Sequence, residues 1–162
     1  MQPPSPFPEK RKPAPDGSPA PAFRLERGEH SHPIRVRYGE SDQMGVAYYA
    51  NYLAWFEVGR TEWLRARGYA YRSLESEGVF LPVTEASCKY LAPSRYDDLI
   101  YVVTRVAKLG RTVVRFEYQI LKGDGTLAAT GHTEHCFLSR DGRPVRAPEG
   151  IQRVLFEGLP KK

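Results

Sequence analysis

Tyr48-Tyr49-Ala50-Asn51-Tyr52-Leu53-Ala54-Trp55-Phe56-Glu57-Val58-Gly59-Arg60-Thr61-Glu62-Trp63-Leu64-Arg65-Ala66-Arg67 is the stretch that fixes the architecture. Tyr52, Trp55, Phe56, Gly59 and Trp63 recur at the spacing of one helical face, which makes a continuous apolar stripe. Glu57, Arg60, Glu62, Arg65 and Arg67 fall largely elsewhere. Gly68 supplies a C-terminal stop, and the basic residues just before it suit the negative end of the helix dipole. A helix so apolar on one side has to be covered.

The flanking sequence offers the cover. Upstream, Ile34-Arg35-Val36-Arg37-Tyr38 alternates apolar and polar residues as a strand does, and Gly39 to Gly45 reads as a polar loop. Downstream, a short helical turn over Tyr71–Glu77 ends at Gly78. Four strand candidates follow: Val79–Tyr90, Asp98–Leu109, Thr112–Lys122 and Thr126–Ser139. In the third, Val114, Phe116, Tyr118 and Ile120 lie on one face, with Val113, Arg115, Glu117 and Gln119 on the other. Gly110-Arg111 and Gly123-Asp124-Gly125 stand where hairpin turns are needed. Pro148 opens a short helix through Phe156. The expectation is an α+β fold in which a five-stranded antiparallel sheet wraps one long helix, its last four strands running as a meander. No parallel βαβ rhythm, GxGxxG or GxxxxGK[ST] motif supports a nucleotide-binding fold.

Composition sets the outer limits. The chain has 162 residues, 41% apolar and 27% charged, which is enough for one domain. Eight of its 14 prolines precede Ala22, so residues 1–30 read as a disordered Pro-rich tail and 31–158 as the folded domain. The net charge of +5 comes from interspersed acids and bases without long like-charge blocks, so nucleic acid is not the expected partner. The longest apolar run, Leu99–Val103, is far too short for a membrane span, and Met1-Gln2-Pro3-Pro4 does not begin like a secretory signal. Two cysteines without CxxC spacing fit a reducing, cytoplasmic setting.

Chemistry concentrates in the loop entering the helix, Tyr38-Gly39-Glu40-Ser41-Asp42-Gln43-Met44-Gly45-Val46-Ala47-Tyr48-Tyr49-Ala50-Asn51. A carboxylate, Asp42, lies a few residues before free helix-start N–H groups, which can hold an oxygen that turns negative. Together these suffice for acyl hydrolysis, by direct attack or by activating water. Asp42 as an N-cap or Asx-turn residue is the alternative. Asn51 can fix the loop by side-chain-to-backbone bonds or cap the helix. His132 and His135, three apart on a strand, face opposite ways and do not make a metal pair. Cys88 and Cys136 read as small core fillers. No serine stands in a GxSxG setting, so a serine or cysteine triad is not expected.

Ser41-Asp42-x-x-Gly45-Val46-x-Tyr48-Tyr49-x-Asn51-Tyr52-x-x-Trp55-Phe56-Glu57-x-Gly59-Arg60 resembles the signature of hotdog-fold acyl-CoA thioesterases of the 4-hydroxybenzoyl-CoA thioesterase/YbgC type. Tyr90-Leu91-Ala92-Pro93 and Tyr96-Asp97-Asp98 are similar to later parts of that family, and the likeness runs from about Ile34 to Phe137. The resemblance implies hydrolysis of an acyl-CoA thioester to a carboxylic acid and free CoA, without a metal or redox cofactor. Asp42 matches the family's catalytic aspartate, nucleophile or general base, and the backbone amide near Tyr49 matches the group that polarises the carbonyl. Many YbgC-type members carry His where Tyr49 stands. A tyrosine of ordinary pKa, about 10, is no near-neutral base, so Tyr49 would line the pocket or hydrogen-bond.

The resemblance further implies substrate contacts from Gly45, Val46 and Asn51. Glu57, on the helix, is a pocket-orienting or structural carboxylate, since Asp42 fills the better-matched position. CoA phosphates call for basic residues, for which Lys89, Lys108 and Arg111 are the candidates, with Arg95 beside them. Acyl-carrier protein is an alternative carrier, and a non-catalytic acyl-CoA-binding module an alternative role. A homodimer or homotetramer is expected, because a lone hotdog domain leaves an open sheet edge and an incomplete site.

Overall fold

The computed structural model describes residues 22–160. The elements in chain order are β1 (His30–Arg35), α1 (Asn51–Arg65), α2 (Tyr71–Ser76), β2 (Val79–Phe80), β3 (Val83–Tyr90), β4 (Leu99–Leu109), β5 (Val113–Lys122), β6 (Leu127–Cys136), β7 (Leu138–Ser139) and α3 (Glu149–Glu157). A five-stranded antiparallel sheet in the order β1-β4-β5-β6-β3 curls around α1, and β2 pairs with β7 in a separate ribbon.

Two parts of the expected topology need correction. Only β4, β5 and β6 form a meander; β3 pairs with β6 at the far edge, and β1 takes the place beside β4. Periodicity within a strand carries no information about which neighbour it will find. The expected strand Ile34–Tyr38 also lies earlier, at His30–Arg35, and Tyr38–Glu40 forms a 3-10 turn instead. Pro82 separates β2 from β3, and Phe137 separates β6 from β7, so two of the expected strands are each divided.

The helical stripe is buried as expected: Tyr52, Trp55, Phe56 and Trp63 are all in the core. Phe56 stacks on Tyr118 of β5 with ring centroids 4.4 Å apart, and Trp63 meets Phe116 edge-on at 5.9 Å. Each such ring contributes roughly 1.5–3 kcal/mol by leaving water. Gly59 lets α1 settle onto β4, since a Cβ there would stand 2.5 Å from Val102 Cγ1 and Thr104 Oγ1. Val114, Phe116, Tyr118 and Ile120 form the inward face of β5, as the alternation indicates. Gly68 ends the helix region in a left-handed conformation, φ +77°.

Arg60 departs from its expected place on the polar side of α1. It is buried, with Nη1 3.3 Å from His135 Nε2. His135 Nε2 lies 2.8 Å from Thr133 Oγ1, which is 2.6 Å from the Tyr118 hydroxyl, so a polar chain crosses the core.

Residues 1–21 of the expected tail lie outside the described residues, whereas 22–29 pack on the sheet. Phe23 meets Tyr101 edge-on at 5.4 Å, and the Ala22 N–H donates to the Gly123 carbonyl at 3.1 Å. Trp63 Nε1 and Arg67 Nη2 both donate to the Gly28 carbonyl at 2.9 Å. The Phe23 ring and the shared Gly28 acceptor tie this segment to β4 and α1.

Candidate active site

The loop before α1 folds back on itself as a tight hairpin. Asp42 N–H donates to the Val46 carbonyl at 2.9 Å, and Gly45 N–H donates to the Asp42 carbonyl at 3.0 Å. Gly45 supplies the positive φ of +73° that the turn requires. Ser41 bridges Ala47, and Tyr48 N–H donates to the Glu40 carbonyl at 2.7 Å, so the returning limb runs directly into the helix start.

Asp42 meets one of the two expectations for it in full: its Oδ1 accepts the Met44 N–H at 2.8 Å, closing an Asx turn. The turn does not remove it from the site. Asp42 also lines an open hollow of about 620 Å³ with Tyr38, Ser41, Gln43, Gly45 and Tyr96. Tyr38 and Tyr96 meet edge to face there, centroids 5.6 Å apart, and both rings are exposed. Arg95 Nη1 donates to the Gly45 carbonyl at 3.2 Å, clamping the turn.

At the start of α1, Asn51 N–H donates to the Tyr48 carbonyl at 3.0 Å. Among the described residues, the backbone amides of Tyr49 and Ala50 meet no acceptor. They stand at the positive end of a 15-residue helix, where the dipole favours negative charge. Tyr90 donates its hydroxyl to the Tyr49 carbonyl at 2.9 Å and so fixes this peptide plane. Burial and a bond to Cys88 push the Tyr90 phenol up to about 12, which keeps it a donor. Tyr49 itself is exposed and packs against Tyr48, with centroids 4.6 Å apart.

Glu40 organises this region, although nothing in the sequence singles it out. Its carbonyl accepts from Asn51 Nδ2 at 2.8 Å, and its carboxylate accepts from the Arg37 amide at 2.8 Å and Trp55 Nε1 at 3.2 Å. Burial pushes the Glu40 carboxyl up, but the Arg37 amide, the Trp55 indole and the Arg37 guanidinium hold it below the usual range. Asn51 therefore fixes the loop through its side chain, the first of the two roles considered for it. A glutamate three residues after a basic one, facing a tryptophan fifteen residues on, has no local signature.

The remaining candidates are dispersed within the single chain. Val46 stays in the hairpin. Glu57 is exposed on α1 near Tyr71 and does not line the Asp42 hollow. Lys108 and Arg111 are exposed at the β4–β5 turn, and Lys89 lines a different hollow on the outer face of the sheet. His135 points into the core and His132 outward, as their spacing requires.

The long helix wrapped by a five-stranded antiparallel sheet, with an acidic hairpin at the helix entry, is a hotdog fold of the thioesterase class. The chain belongs to the thioesterase-like superfamily, whose sequence model matches residues 36–155. It is 35% identical over 95 residues to the acyl-CoA thioester hydrolase YbgC of Escherichia coli, spanning 59% of this chain and 71% of that protein. Among solved structures, the DHNA-CoA thioesterase of Staphylococcus aureus superposes with a TM-score of 0.76 at 32% identity, over 80% of this chain and 89% of that one. A hypothetical protein of Thermus thermophilus gives 0.74 at 36% identity, covering 78% and 96%.

Proposed function

We propose that this protein is an acyl-CoA thioesterase that releases a carboxylic acid and free CoA. The observation that carries the reading is the hairpin of residues 41–47, which puts the Asp42 carboxylate in an open hollow and leads straight to the unpaired amides of Tyr49 and Ala50. The acyl carbonyl rests on a helix-start amide, which stabilises the oxygen as it becomes negative. Asp42 attacks the carbonyl carbon or takes a proton from the attacking water. Thiolate leaves, and water is the only co-reactant, so the chemistry draws on no metal or redox cofactor. Tyr49 contributes its backbone and its ring, not a base. The relatives named for hydrolysis of CoA esters support CoA as the carrier, with acyl-carrier protein as the alternative.

A second copy completes the site in this reading. β3 is one of the two edge strands of the sheet, with β1 the other, and nearly all of its residues are exposed, which leaves a row of main-chain groups for an identical strand. A homodimer joined there is the smallest closed arrangement. The free thiols of Cys88 and Cys136 suit the reducing cytoplasm.

The test is thiol release from a panel of short, branched and aromatic acyl-CoAs, measured on the full chain. Turnover of at least one ester supports the reading. Tight binding of CoA esters without turnover across the panel leaves only the binding-module role.

A further inference from the structure

The outer face of the sheet carries a second hollow, about 540 Å³, roofed in part by the leading segment 22–29. On its floor Ser87 of β3 and His132 of β6 are register partners, and Ser87 Oγ lies 2.7 Å from His132 Nδ1. The other ring nitrogen, Nε2, lies 2.5 Å from Glu85 Oε1. Glu85 and Ser87 are two apart on one strand and share a face, so a single imidazole bridges both. A register shift in β3 between Val83 and Glu85 brings the carboxylate into line.

The hydrogen positions follow from the partners. An ionised carboxylate only accepts, so Nε2 carries the proton and Nδ1 of the neutral ring presents a lone pair. The Ser87 hydroxyl then donates to Nδ1. The bond to His132 holds the Glu85 carboxyl below its usual range. This is the order of nucleophile, base and orienting carboxylate that activates a serine, assembled without the GxSxG turn whose absence argued against one. Ser87 is exposed to the hollow, and Lys89, on the same face two residues further along β3, lines it as well.

We propose that Ser87, His132 and Glu85 form a second hydrolytic site that takes small activated esters, separate from the Asp42 hollow. Ser87 Oγ bonds to the acyl carbon while its proton passes to His132 Nδ1. Lys89 stabilises the oxyanion. The C–O bond to the leaving alcohol breaks, and that oxygen takes the proton from His132. Water then attacks the acyl-serine, gives a proton to His132 and releases the acid, while Ser87 recovers its hydrogen. Glu85 is a positioning residue.

The test uses the full chain carrying Asp42→Asn, treated with a fluorophosphonate probe and mapped by peptide mass spectrometry. Phosphonylation at Ser87, with loss of fluoride, is expected. It should vanish in Ser87→Ala and slow about 100-fold in His132→Asn. Glu85→Gln, a surface change, should slow it less, and Glu85→Asp should restore part of the rate. Absence of the adduct at Ser87, or an unchanged labelling rate in Glu85→Gln or in a folded His132→Asn protein, overturns the proposal.

Discussion

The carboxylate of Glu40 accepts the indole N–H of Trp55 at 3.2 Å, joining the acidic hairpin to the second turn of α1. The same residue takes Asn51 on its carbonyl, so loop and helix share one buried anchor. Glu40→Ala leaves the Trp55 and Arg37 donors without an acceptor and should cost about 1–3 kcal/mol, read from urea unfolding. Because the folded carboxyl is held low, Glu40 stabilises the fold above the unfolded pKa of about 4.3 and loses that effect as pH falls through the lower folded value. Glu40→Gln should therefore flatten the most acidic part of the stability curve.

Asp42→Asn separates chemistry from structure at the hairpin. Asparagine keeps the side-chain oxygen that accepts Met44 N–H, so the Asx turn and the melting temperature should be retained. Steady-state acyl-CoA hydrolysis should fall by about 100-fold or more. Full turnover in the folded variant would take Asp42 out of the reaction.

His135 predicts a different pH window. Burial first, and the nearby Arg60 charge second, lower its pKa to about 4. The unfolded chain binds this proton near 6.5, so stability declines as pH falls from 6.5 toward 4, by about 2–3 kcal/mol in total. Denaturant midpoints at pH 7 and pH 4.5 should differ by less in His135→Gln than in the parent.

Gly59→Ala tests the closeness of helix and sheet. The added methyl would strike Val102 and Thr104, and the expected loss is about 1–3 kcal/mol, visible as a lower melting temperature. A neutral or stabilising result would mean that α1 has room to move off β4.

Much of this molecule is legible in its sequence because its signals are local. The stripe from Tyr52 to Trp63, the alternation of β5 and the turn at Gly45 each follow from a few consecutive residues. Strand order does not: β3 reaches β6 only because the sheet closes around α1, a constraint that spans the whole chain. Asp42 stands out by its place ahead of a helix, whereas Glu40 looks like any loop carboxylate until Trp55 folds over it. Arg60 falls on the polar side of a helical projection, yet it is buried beside His135 of β6 and near Tyr71 of α2. The pairing of Ser87 with His132 depends on register between strands 45 positions apart, beyond what periodicity can supply.

Residues 22–29 lie across the back of the sheet, and this limits how copies can accumulate. Tyr101 and Val103 alternate with the inward residues Ile100 and Val102, yet they too are shielded from water. Phe23 and its neighbours do the shielding. Over β4, two molecules stacked back to back would therefore meet that strap first, whereas the β3 end of the same face stays exposed. Face-to-face stacking is obstructed over β4, while the sheet ends on two edge strands, β1 and β3.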